Sequence, residues 1–253
     1  MSEQPFPSET SLAVRLNRWM LGLSRNWLAV LLLFLGLYVG LPFVAPTLMH
    51  FGLTGPANLI YTAYSPLCHQ FSFRSWFLFG EQPAYPRAAA GVPGLLPFDA
   101  FASNVDLATH SNATLTDWTL DLELDARQFV GDAQMGYKVA ICERDIAIYG
   151  ALFIGGLIYS IPAVRKHLRP VPLWLYVLLG LMPIAIDGFS QLFGYPPFNF
   201  WAIRETTPAF RTLTGALFGL MNAWLAFPYL EDSARSAKAE LEAKFASRSS
   251  RTA

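Results

Sequence analysis

Four stretches of this chain are apolar over about the 20 residues that a helix needs to cross the hydrocarbon core of a bilayer. They cover residues 27–49, 139–161, 171–193 and 208–229. Apolar residues make up 53% of the chain and charged residues only 14%, against about 25% charged in a typical soluble domain. A fold in water would lack polar surface, so the reading is an all-α, polytopic transmembrane helix bundle in contact with a lipid bilayer. Lys+Arg and Asp+Glu balance at 18 each, so no basic excess points to nucleic acid. Two cysteines exclude a disulfide-dense scaffold and a four-cysteine zinc site. The first apolar run is followed by no small-residue cleavage site and reads as a retained signal anchor.

A fifth stretch, 57–80, is apolar but broken by Pro66, Cys68, His69, Gln70 and Arg74. It either crosses or enters and leaves from one side, and backbone broken at membrane depth needs cover from other helices or water. The positive-inside rule selects between these readings. Arg15, Arg18 and Arg25 precede the first span, Arg165, Lys166 and Arg169 sit between the second and third, and Arg235, Lys238, Lys244, Arg248 and Arg251 follow the fourth. The loop 81–137 is acidic, with Asp99, Asp106, Asp117, Asp121, Glu123, Asp125 and Asp132. These charges agree with four spans and a non-crossing, re-entrant outer-side segment. The N-terminus, the 165–169 loop and the C-terminus are then cytoplasmic, in an inner membrane. A fifth crossing would place the N-terminal arginines outside.

The chain thus divides into a cytoplasmic interfacial arm (1–26), a first span with the broken polar segment (27–80), an extracytoplasmic acidic loop insertion (81–137), a three-helix transmembrane part (138–230) and a charged tail (231–253). Within the loop, 113–129 alternates apolar and acidic residues, a period-two pattern that predicts a strand or hairpin. Ala147, Ala151 and Gly155 on the second span, and Gly215 and Gly219 on the fourth, are spaced four apart. Small residues so spaced let helix backbones approach closely.

This topology gathers polar groups in one layer. Asp187 lies sixteen residues into a span that starts inside, about 24 Å of rise, and Gln191 follows one turn further out on the same face. Cys142, Glu143, Arg144 and Asp145 open the second span, and Arg211 and Thr214 open the fourth. Ionisable groups in spans are costly, about 2.5–3.5 kcal/mol each at the centre, and face a bundle interior with a partner. The simplest pairing joins Asp187 or Asp145 to Arg144 or Arg211.

The ordered motifs carry a resemblance. They are Cys68-His69-Gln70 with Arg74-Ser75, Cys142-x-Arg144-Asp145 leading to Tyr149-Gly150, Pro183-x-x-x-Asp187-Gly188-x-x-Gln191, and Arg211-x-x-Thr214-Gly215. Together they resemble a domain-of-unknown-function family of predicted bacterial and archaeal integral membrane proteins, over residues 61–220 apart from the outer loop. Many members read Cys-x-Arg-Cys where this chain has Asp145, which argues against a general multi-thiolate site. The resemblance implies a membrane protein and supplies no activity.

Several readings stay open for the outer layer. Cys68 and Cys142 form a disulfide, worth up to about 4 kcal/mol in the chain-entropy model, remain free, or bind zinc or copper with His69 and Asp145. Arg74, Arg144 and Arg211, with Gln191 and Thr214, are candidates for holding an anionic or lipid-like ligand, because guanidinium forks suit phosphate and carboxylate. The alternative is that they only pair with Asp145, Asp187 or Glu143. Asp187 is the candidate general base, though no activated nucleophile, Gly-rich phosphate loop, HExxH or GxSxG accompanies it. Three functions compete: a binding or catalytic protein of the outer leaflet, a structural or assembly subunit, and a small transporter.

Overall fold

The computed structural model describes residues 12–101 and 120–252. The chain is mostly helical. Helix α1 (Leu12–His50) bends at Asn26, whose φ of −120° and ψ of 19° are not helical. The arm before the bend therefore continues into the first apolar span. Helix α2 (Thr54–Tyr64) follows after a tight turn. Helix α4 (Glu143–Ser160) leads into the short α5 (Pro162–His167). The next helix runs Leu173–Leu192, as α6 (Leu173–Leu175), a π-helical stretch (Tyr176–Leu181) and α7 (Met182–Leu192). Pro183 has no N–H for the carbonyl four residues back and its ring crowds it; the wider π turn just before it absorbs that mismatch. The last helix, α8 (Pro208–Thr252), extends well past its apolar part.

Among the described residues, three helices are long and apolar enough to cross a membrane: Leu12–His50, Leu173–Leu192 and Pro208–Ser247. Helix α4, with Glu143, Arg144 and Asp145 in its first turn, stands apart from these by composition. It packs between α1 and α8. A Cβ on Gly215 would meet Arg144 O at 2.8 Å, and one on Gly219 would meet Ile148 O at 2.2 Å. The two helices therefore run parallel with backbones almost touching, which is what the small-residue spacing predicted. Arg144 and Gln191 lie at the same end as Arg211, and Gly180 meets Met221 further along. Helices α7 and α8 are thus antiparallel.

Two prolines in α1 tie it to the rest of the chain. Pro42 and Pro46 donate no backbone N–H, so the carbonyls four residues earlier are released. Tyr38 O accepts the Tyr64 hydroxyl at 2.9 Å, and Pro42 O accepts Ala140 N–H at 3.2 Å. Helix α2 and the entry to α4 are thereby held against the C-terminal end of α1.

Beyond that end lies a folded cap. Strands β1 (Phe77–Leu78), β2 (Gly131–Asp132) and β3 (Gly136–Lys138) form an antiparallel sheet in the order β1-β3-β2. Under it Phe71, Phe73, Phe77, Tyr85, Phe98, Phe101, Leu122, Ala126 and Met135 make an aromatic-rich core. The strand or hairpin expected over 113–129 is corrected where it is described: Leu120–Gln128 is helix α3. Leu122 and Ala126, four apart, face the core, while Leu124 is 40% exposed; helical spacing, not alternation, decides burial. Residues 113–119, and Asp106 and Asp117 of the acidic loop, lie outside the described residues.

Candidate functional site

After α2 the backbone leaves helical geometry at 68–70, with Gln70 at φ 55°. Gln70 holds this break in place. Its side-chain amide donates to Tyr61 O at 2.9 Å and Ala140 O at 2.7 Å, while its own carbonyl accepts Lys138 Nζ at 2.7 Å. Within the Cys-His-Gln motif the glutamine is therefore structural. Cys68 is buried and His69 is exposed, its ring tilted against Phe71 at 5.4 Å.

Cys142 precedes the first turn of α4 and comes to Cys68. The backbone N–H of Cys142 donates to Cys68 Sγ at 3.3 Å, and the Cys142 thiol donates to Asp145 Oδ2 at 3.0 Å. Both cysteines are free. Ligand atoms of Cys68, Cys142 and Asp145 all lie within 4.8 Å of one another. Residues 74 positions apart in sequence are thus neighbours, as the topology required. His69 is outside this set.

Two ion-pair networks stand beside the thiols. In the first, buried Asp187 accepts from Arg144 Nη2, from Thr206 Oγ1 at 2.5 Å and from Arg204 Nη1 at 3.4 Å. In the second, Glu205 Oε2 accepts Arg211 Nη2 at 2.6 Å, and Glu205 Oε1 accepts the Tyr195 hydroxyl at 2.6 Å and Arg74 Nη2 at 3.0 Å. Burial by itself would raise the Glu205 carboxyl, but the Arg74 and Arg211 guanidiniums and the Tyr195 hydroxyl outweigh it and hold the group below the usual carboxylate range. Arg211 Nη2 also reaches Gln191 Oε1 at 3.2 Å, joining the networks, and its Nη1 stands 3.9 Å from Glu143. Asp187 therefore pairs with Arg144, one of the two expected partners. Arg211 goes instead to Glu205, in the connection before α8.

Arg74, Arg144, Arg211, Gln191, Cys68, Cys142, His69 and Asp145 all line one cavity of about 620 Å³. Its rim includes the exposed Leu67 and Leu192. Thr214 is buried and donates to Phe210 O at 2.9 Å, satisfying its own helix; it is not among the cavity residues. Asp187 lies behind the wall, buried under Arg144. Sequence reasoning missed Tyr195, Arg204, Glu205 and Thr206. The available signal was two charges, Arg204 and Glu205, in a loop placed at the same end as the other polar groups.

No solved structure matches the chain. An uncharacterised protein of Methanocaldococcus jannaschii is 24% identical over 212 residues, covering 81% of this chain and 93% of that one. Helix α4 with its polar first turn, the Asp187 helix and the start of α8 all lie within residues 133–225, and this stretch, carrying three of the four motifs, matches the family described as predicted membrane protein (DUF2085), a family of unknown function like the one the motifs resemble.

Proposed function

We propose that the chain is a four-span membrane protein whose outward-facing cavity binds an anionic, lipid-like ligand. The carrying observation is Arg144. It lines the cavity, its side chain is 24% exposed, and its Nη2 is the atom that meets Asp187. A guanidinium carries its N–H donors in a planar fork, so donors that Asp187 does not engage can meet an acceptor oxygen entering the cavity. The exposed Leu67 and Leu192 at the rim suit an apolar tail, so headgroup and tail each have a matching surface.

Membrane placement supports the same reading. Taking α4 as a fourth crossing, parallel to α8 and antiparallel to α1, puts the Arg165 and Arg235 regions at one end and the acidic cap at the other, which obeys the positive-inside rule. Residues 54–80 then stay on the outer side as α2 and the broken segment.

The test is native mass spectrometry of the full chain in detergent, with phosphatidylglycerol against phosphatidylcholine. Retention of the anionic lipid, weakened about tenfold, or about 1.4 kcal/mol, by Arg144→Gln, is expected. Equal retention of both lipids, or indifference to Arg144→Gln, would reject the reading. A second reading, a structural polar cluster, is favoured by the pairing of Arg74 and Arg211 with Glu205 and of Arg144 and Arg204 with Asp187. Under it, Arg144→Gln lowers the melting temperature and leaves lipid retention unchanged.

A further inference from the structure

One wall of the cavity carries a donor set that the arginines do not use. Cys68 Sγ accepts backbone N–H groups from Gln70 at 3.5 Å and from Cys142 at 3.3 Å. Cys142 Sγ holds its proton against Asp145 Oδ2, 3.0 Å away. The three ligand atoms lie within 4.8 Å of one another, whereas two thiolates on one tetrahedral zinc stand about 3.8 Å apart. Side-chain adjustment of about 1 Å closes that gap.

We propose that Cys68, Cys142 and Asp145 form a three-ligand zinc site whose fourth coordination position opens into the cavity. The metal displaces the thiol protons, including the one now lying between Cys142 and Asp145, and these leave to solvent as it binds. Two thiolates with one carboxylate combine soft and hard donors. Zinc accepts both, whereas cuprous copper prefers thiolate and thioether sulfur. Three protein ligands with an open position are the arrangement of zinc sites that hold a water or a ligand, in contrast to closed structural sites. His69 is exposed at the cavity rim and outside the cluster, so the fourth position is left to a group entering from the cavity. That this group is an acidic headgroup steered by Arg144 rests on the function proposed above; the three-ligand site does not.

The experiment uses the full chain purified in detergent without chelator, with elemental analysis, thiol counting and cobalt(II) reconstitution. About one zinc per chain is expected, with a thiolate-to-cobalt charge-transfer band in the near ultraviolet. Cys142→Ser should lower zinc affinity at least tenfold. Asp145→Asn, which keeps both thiols, should also weaken zinc about tenfold or more while retaining the cobalt–sulfur band. A Cys68–Cys142 disulfide in protein taken directly from membranes would overturn the proposal. So would absence of both bound zinc and the cobalt band in folded protein, or zinc content unchanged by Cys142→Ser and Asp145→Asn. Zinc binding that survives when phosphatidylglycerol is not retained rejects the lipid reading alone. Lipid retention without zinc rejects this one alone.

Discussion

Arg211 Nη2 lies 2.6 Å from Glu205 Oε2, and both side chains are almost completely buried. Glu205 also takes Arg74, so one carboxylate joins the start of α8 to the segment after α2. Removing one partner of a buried pair leaves the other charge uncompensated, which costs about 3–5 kcal/mol. Glu205→Ala should lower stability by that order, read as a fall in melting temperature in detergent. Because the folded carboxyl is held below its ordinary range, this contribution is complete above about pH 4.3. It is lost as pH falls through the lower folded value. A melting temperature unchanged by Glu205→Ala would show that the pair contributes nothing net.

Asp187 and Arg144 give a second prediction. Asp187→Asn keeps one side-chain oxygen for Thr206 and the backbone carbonyl that accepts Gln191 Nε2, but leaves Arg144 without its carboxylate. A loss of about 1–3 kcal/mol is expected. The charge swap Asp187→Arg with Arg144→Asp should recover part of it, and the same swap made with Arg211 should recover none. Recovery by the Arg211 swap alone would contradict the observed pairing.

Helix contact supplies the third. A Cβ on Gly219 would lie 2.2 Å from Ile148 O, backbone that cannot move without shifting α4. Gly219→Val should destabilise the chain by about 1–3 kcal/mol or more, seen as aggregation or early elution in size-exclusion chromatography. Gly22, with nothing near its Cβ position, is the control, and Gly22→Ala should behave as the parent does.

The cap makes a prediction about pH. Lys138 is fully buried, and its ammonium donates to the carbonyls of Gln70, Ala126 and Arg127 at 2.7, 3.3 and 2.7 Å. Burial pushes this amine down from 10.5 to about 7. Below pH 7 it is charged in both folded and unfolded chains. Between about 7 and 10.5 the unfolded chain binds the extra proton, so stability from this group rises with pH through that window and is lost as pH falls back towards 7. The slope is at most about 1.4 kcal/mol per pH unit. Thermal unfolding across pH 6 to about 10 should show a steeper rise for the parent than for Lys138→Met. Parallel curves would remove Lys138 as the cause.

Topology gives the last. In a chain with Cys68 and Cys142 replaced by serine, an impermeant thiol reagent added to intact cells should label Glu81→Cys and spare Lys166→Cys. Labelling of both from the same side would eliminate the four-span arrangement.

Sequence alone determined the helical architecture, because apolar stretches of spanning length and charge asymmetry between loops are properties of local composition. It also determined that the polar motifs share one end, since rise per residue fixes depth once direction is known. The α4–α8 contact was legible for a similar reason: small residues four apart mark a face. Tertiary structure alone decided the partners. Arg211 and Arg144 open two parallel helices at the same depth, and nothing local says which takes Asp187 and which takes Glu205. That choice depends on how the 193–207 connection folds back, bringing Glu205 and Tyr195 over Arg74 and Arg211. The cap was likewise beyond local reading. In α3, Leu122 and Ala126 look no different from the alternating residues around them until the aromatic core formed by residues 71–101 selects the face that is buried.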